Sequence, residues 1–129
     1  MNRQNLFLGI AGVLGASAVI TGAFGAHALK GRLSEEMTAI YETAVQYHIY
    51  HALAVLAVTV ASEKIWAGRW AAAACFAWTV GVVIFSGSLY LLALTGIRWL
   101  GAITPFGGLA LITGWVFVVL AAATLRARP

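Results

Sequence analysis

His48 and His51 stand three residues apart in a stretch, residues 44–61, that is otherwise apolar enough to sit inside a lipid bilayer, and Glu42 and Gln46 precede them. Polar side chains are costly in hydrocarbon, so these four are the first place to look for function. At about 100° per residue, Tyr41, Ala44, His48, His51 and Ala52 share one face of a helix, while Glu42, Gln46 and Tyr50 form a neighbouring stripe. Two imidazoles a turn apart can accept, donate, titrate near neutral pH or bind a metal. His27 closes an earlier apolar run, and with Glu42 the three histidines would offer zinc or copper suitable donor atoms.

Depth argues against gathering them. A continuous helix from Ser34 to Ser62 would be about 43 Å long, roughly 13 Å more than the hydrocarbon it crosses, which leaves residues 34–42 at the interface. His48 then lies about 8 Å below the surface and His51 deeper, while His27 stays at the boundary. The ligand spacing is also incomplete, so no metal or other cofactor is assigned; His27, His48 and His51 are the residues on which one would draw. Hydrogen bonding between helices accounts for the histidines more economically, with a proton or polar-ligand role as the functional alternative.

Ser86, Ser88 and Tyr90, in the run Phe85-Ser86-Gly87-Ser88-Leu89-Tyr90, are the natural partners, Ser86 and Tyr90 on one face and Ser88 on another. A serine nucleophile needs an adjacent base and an orienting group, and nothing here resembles a nucleophile elbow, so the chain reads as a non-enzyme. The hydroxyls of Ser86, Ser88 and Thr104 suit bonding to neighbouring helices or to their own preceding turn. Glu42 must be paired, protonated or wet, with Lys30 and Arg32 the nearest cations across a short connection.

The elements that position these residues follow from composition. Of 129 residues, 62% are hydrophobic and 9% charged, and mean hydropathy is +0.92; a soluble globule cannot cover itself with so little polar surface. The expected class is an all-α membrane protein, a four-transmembrane-helix bundle with antiparallel up-down connections, as one domain over residues 1–129. Its helices are expected at about 5–29, 34–62, 70–94 and 104–125, each near the roughly 20 residues a crossing needs. Long runs without alternation exclude a barrel. Ser34 is an expected N-cap with Glu35 and Glu36 in the first turn, and Thr104 and Pro105 open the last helix.

The net charge of +4 and pI near 9.7 come from scattered Lys and Arg, membrane anchors and not a nucleic-acid surface. Four crossings put Arg3, Lys64, Arg69, Arg126 and Arg128 on one side against Lys30, Arg32 and Arg98, which favours cytoplasmic termini. Arg3, an apolar core and Ala26-His27-Ala28 imitate a signal peptide, but the run is long for one and reads as a retained helix. Gly9, Gly12, Gly15, Gly22 and Gly25 in the first helix, and Gly107, Gly108 and Gly114 in the fourth, are expected to let helices pack closely. Trp66, Trp70 and Trp99 suit the interface. Cys75, alone, excludes an internal disulfide.

Four motifs in order, Gly22-Ala23-Phe24-Gly25-Ala26-His27-Ala28-Leu29, Tyr41-Glu42-Thr43-Ala44 through Tyr47-His48 to His51-Ala52-Leu53, Phe85 to Tyr90, and Ile103-Thr104-Pro105-Phe106-Gly107-Gly108 with Gly114-Trp115, closely resemble the small four-helix membrane proteins related to vertebrate transmembrane protein 256. The resemblance covers nearly the whole chain. It implies a compact bundle in a bacterial inner or organellar membrane, implies no activity, and draws attention to His27, Glu42, His51, Ser86, Ser88, Tyr90, Thr104 and Pro105. The expected function is binding or accessory, with the lipid bilayer and a membrane-protein partner or second copy as partners. The alternatives are a proton-coupled transporter or channel component acting as an oligomer, and a metal- or haem-binding protein. Of the two histidines, His51 is the one the motifs single out.

Overall fold

A computed structural model of the protein describes residues 2–61, 63–66 and 68–126. Ser62, the expected end of the second helix, and Arg128, one of the basic residues in the charge comparison, lie outside the described residues. Described elements are α1 (Arg3–His27), α2 (Glu35–Thr59), α3 (Glu63–Trp66), α4 (Trp70–Thr95), a 3₁₀ turn (Arg98–Ala102) and α5 (Thr104–Arg126). No strand occurs among them.

Helix limits follow local chemistry. The Asn2 side chain accepts from the Gln4 and Asn5 amides, starting α1 two residues before its expected start. Ser34 caps α2 as its sequence position suggests, accepting from Met37 N at 3.2 Å, with Glu35 and Glu36 in the first turn. Gly96, at φ 70°, ends α4 in the left-handed conformation that favours glycine. Thr104 does not serve as a free cap. The 3₁₀ turn runs into α5, and the Thr104 hydroxyl is taken up by Ser88 at 2.7 Å instead.

α1, α4 and the stretch Arg98–Leu125 are long and apolar enough to cross a membrane; α2, of equal length to α1, is not among them. Four spans were the expectation, and the difference has a cause: Glu42, Gln46, His48 and His51 dilute the apolar half of α2. α2 is nonetheless continuous and sits between α1 and α4, antiparallel to both. Gln4 meets Thr59 at one end and Gly25 meets Tyr41 at the other, while on α4 Tyr90 lies by His48 and Trp78 by His51. α5 packs along α4, with which it shares its largest interface. The helices thus stand in the row α1, α2, α4, α5.

The core cluster draws Phe7, Ala11 and Leu14 from α1, Ala52 and Val55 from α2, Ala74, Cys75, Trp78 and Val82 from α4, and Leu111 from α5. The glycines expected to bring helices together divide. Gly107 and Gly114 lie against Phe85 and Trp78, and Gly25 against the Tyr41 ring, but Gly9, Gly12 and Gly15 face open space. Trp66 donates to the Val58 carbonyl at 2.9 Å and meets Phe7, and Arg69 lies over the Trp70 ring. Trp99 is exposed.

Candidate functional site

The buried residues of α2 include the face its periodicity predicts, Tyr41, Ala44, His48, His51 and Ala52, together with Ala54, Val55 and Thr59, and the polar members do different things. His48 lies where α1, α2 and α4 meet. Its Nε2 is 3.2 Å from Ser17 Oγ on α1 and its Nδ1 3.1 Å from the Tyr90 hydroxyl on α4. Tyr90 Oη is in turn 3.0 Å from Thr21 Oγ1, and Thr21 reaches the Ser17 carbonyl at 3.0 Å. Tyr41 packs at a tilt against Tyr90 with ring centroids 5.1 Å apart and donates its hydroxyl to the Thr21 carbonyl at 2.6 Å. Ser17, Thr21, Tyr41, His48 and Tyr90 therefore form one inter-helix hydrogen-bond cluster.

His51 is held differently. Its Nδ1 is 2.8 Å from the Tyr47 carbonyl one turn back, and its Nε2 faces the Trp115 indole N–H of α5 at 3.3 Å. A carbonyl only accepts and an indole N–H only donates, so the ring is pinned as the neutral Nδ1–H tautomer. Trp78 and Trp115 enclose it, with ring centroids 6.3 and 6.2 Å away.

The remaining expected residues are dispersed. Ser86 donates to the Ala44 carbonyl at 2.8 Å, joining α4 to α2, and Ser88 bonds to Thr104, joining α4 to α5. His27 is exposed at the end of α1. Among the described residues no three His, Cys, Asp or Glu side chains gather as a metal site would require.

Glu42 and Gln46 turn outward, into a groove of about 470 Å³ between the end of α1, the following turn and the first half of α2. Tyr41, Gly22, Gly25 and Val45 line it with them, and Lys30 stands at its edge. Neither Glu42 nor Gln46 makes a hydrogen bond or ion pair with another described residue. Among the described residues the one ion pair is elsewhere, Arg98 with Glu36 at 3.2 Å, on the surface.

Residues 21–108 match the family described as "Protein of unknown function (DUF423)". The chain belongs to this family. It is 45% identical to the UPF0382 membrane protein SH2409 of Staphylococcus haemolyticus over 118 residues, 91% of this chain and 94% of that one. It is 41% identical to the UPF0382 membrane protein YwdK of Bacillus subtilis over 119 residues, 92% and 97% of the two chains. No solved structure matches. The relatives are named membrane proteins, which agrees with the apolar helices found here.

Sequence reasoning passed over Ser17, Thr21 and Trp115. Ser17 and Thr21 lie among the glycines of the first helix, where their spacing of four, continued by Gly25, marks a single face. Trp115 enters the sequence analysis only within the Gly114-Trp115 motif, and nothing there points to its contact with His51, which crosses 64 positions.

Proposed function

We propose that the protein is a four-span membrane protein that binds the polar head of a small amphipathic molecule in the groove between α1 and α2. The observation behind this reading is the outward aim of Glu42 and Gln46. They stand about 10 and 16 Å along α2 from Glu35, Glu42 at the inner limit of the interface and Gln46 below it, where polar groups without partners are costly beside lipid. An occupant carrying its own polar groups relieves that cost. The Glu42 carboxylate accepts from an ammonium, the Gln46 amide donates and accepts, and the Lys30 ammonium at the edge attracts a phosphate or carboxylate. The groove volume is within the range of small-molecule sites.

α2 counts as a span in this reading because its length, about 37 Å, equals that of α1 and its polar face is answered by α1 and α4. Four spans place Arg3, Lys64 and Arg69 on one side with the termini, the cytoplasmic side of a bacterial inner membrane, and the groove opens on the opposite face. The role is binding or accessory without catalysis, and kinship with the vertebrate transmembrane protein 256 group belongs to the same reading. A metal or haem role finds less support, since His51 has both ring nitrogens occupied and His27 stands apart.

The test uses a fluorescent phosphatidylethanolamine, a zwitterionic head on acyl chains, exchanged into nanodiscs holding the parent protein or Glu42→Gln/Gln46→Leu. Bound probe is read by energy transfer from the tryptophans. Retention about tenfold weaker in the variant, with unchanged thermal stability, is expected. Equal retention would refute the groove as a headgroup site.

A further inference from the structure

The cluster around His48 carries a role that does not depend on the groove. A buried imidazole can take up a proton without disrupting its surroundings only if both ring nitrogens can donate and every displaced hydroxyl hydrogen finds another acceptor. The partners of His48 allow this.

In the neutral ring with hydrogen on Nε2, that N–H donates to Ser17 Oγ, whose own hydrogen goes to the Val13 carbonyl 2.8 Å away, and Tyr90 donates to Nδ1. In the other neutral tautomer the direction reverses. Ser17 donates to Nε2, the Nδ1–H donates to Tyr90 Oη, Tyr90 donates to Thr21 Oγ1, and Thr21 donates to the Ser17 carbonyl. The imidazolium uses the half of each arrangement that it needs. Nε2–H donates to Ser17, which turns to Val13, while Nδ1–H donates to Tyr90, which turns to Thr21, which turns to Ser17 O. One proton is gained, no covalent bond of the protein breaks, and no donor faces a donor.

We propose that His48 is a reversible proton-binding site, held by the hydroxyls of Ser17, Thr21 and Tyr90 in the part of the bundle toward which Tyr41 lies. The facing groups permit the charge. α1 contributes Ser17 and Thr21; α4 contributes Tyr90; α2 itself contributes Tyr41 and, one turn on, His51; α5 reaches only His51, through Trp115. None of these is a fixed cation. In the other direction the chain of hydroxyls stops. Below Ser17 the interior is Leu14, Ala11, Phe7, Ala52, Val55 and Cys75. Thr59, buried beyond them, turns its hydroxyl to the Val55 carbonyl of its own helix, and Gln4 reaches the Thr59 carbonyl about 20 Å along α1 from Ser17.

His51 is the internal control, because protonation would set an Nε2–H against the Trp115 indole N–H. The experiment is a ¹⁵N-histidine NMR titration of the full chain in nanodiscs from about pH 5 to 8, with ring signals assigned by His27→Gln, His48→Gln and His51→Gln. His48 is expected to pass reversibly to the doubly protonated form while the tryptophan resonances hold. His51 is expected to remain a single neutral Nδ1–H tautomer. Tyr90→Phe removes one acceptor, and Ser17→Ala tests the opposite nitrogen if the first variant fails to fold; either lowers proton affinity about tenfold, one pH unit in midpoint. A His48 ring that stays neutral throughout that pH range overturns the proposal. So does protonation only with loss of the fold, or variants that bind the proton as tightly as the parent.

Discussion

Gly107 and Gly108 are adjacent glycines in the same turn of α5, and the structure assigns alanine at these two positions opposite effects. A Cβ at Gly107 would lie 2.7 Å from Phe85 Cα and 2.8 Å from Phe85 Cβ, against the backbone of α4, which has no rotamer with which to give way. A Cβ at Gly108 would lie 3.8 Å from two atoms of the Phe85 ring, an ordinary contact. Overpacking costs about 1–3 kcal/mol, and against backbone the upper value applies. Replacing glycine by alanine within a helix returns about 1 kcal/mol at either site. Gly107→Ala should therefore lose about 2 kcal/mol and Gly108→Ala gain up to about 1 kcal/mol. The gap of nearly 3 kcal/mol is about a hundredfold in the folding equilibrium. Reversible denaturation in mixed micelles, followed by the fluorescence of Trp78 and Trp115 at the same interface, measures both. If the two alanine variants unfold at the same denaturant concentration, the close approach of α4 and α5 described here is wrong.

Two further outcomes test the packing. Cys75 has no exposed surface, so a maleimide should leave it unlabelled in the folded protein and modify it only on unfolding; rapid labelling in nanodiscs would contradict the core. Ser88 and Thr104 share one hydrogen bond, so Ser88→Ala, Thr104→Val and the double variant should show a coupling of about 0.6 kcal/mol, the usual scale for such bonds between membrane helices; strict additivity would mean that the bond contributes nothing.

The helices were legible because their signals are local. Ser34 before two glutamates, Gly96 after a long apolar run, and uninterrupted hydropathy each act within a turn or two. The face of α2 was legible for the same reason, since periodicity alone groups Tyr41, His48 and His51. What a side chain meets on another helix is a different kind of information. Nothing near His48 in sequence says that Ser17 lies 3.2 Å away, or that the indole of Trp115 closes on His51. Motif membership drew attention to His51, but the contacts make it the fixed ring and His48 the adaptable one. Depth along the helix did separate His27 from the pair, and the structure keeps them apart.

In the four-span arrangement proposed above, the lower hydropathy of α2 bears on how the chain enters the bilayer during synthesis. Alone in lipid, α2 would present His48 and Tyr41 with no partner for their polar atoms, and insertion of single helices is sensitive to such groups. Its partners on α1, Ser17 and Thr21, leave the ribosome before it, whereas Tyr90 is made more than a helix later. The seven residues 28–34 hold α1 and α2 close enough to pair at once, so in that arrangement the natural unit of insertion is the α1–α2 hairpin, with α4 completing the bonds that the hairpin leaves open.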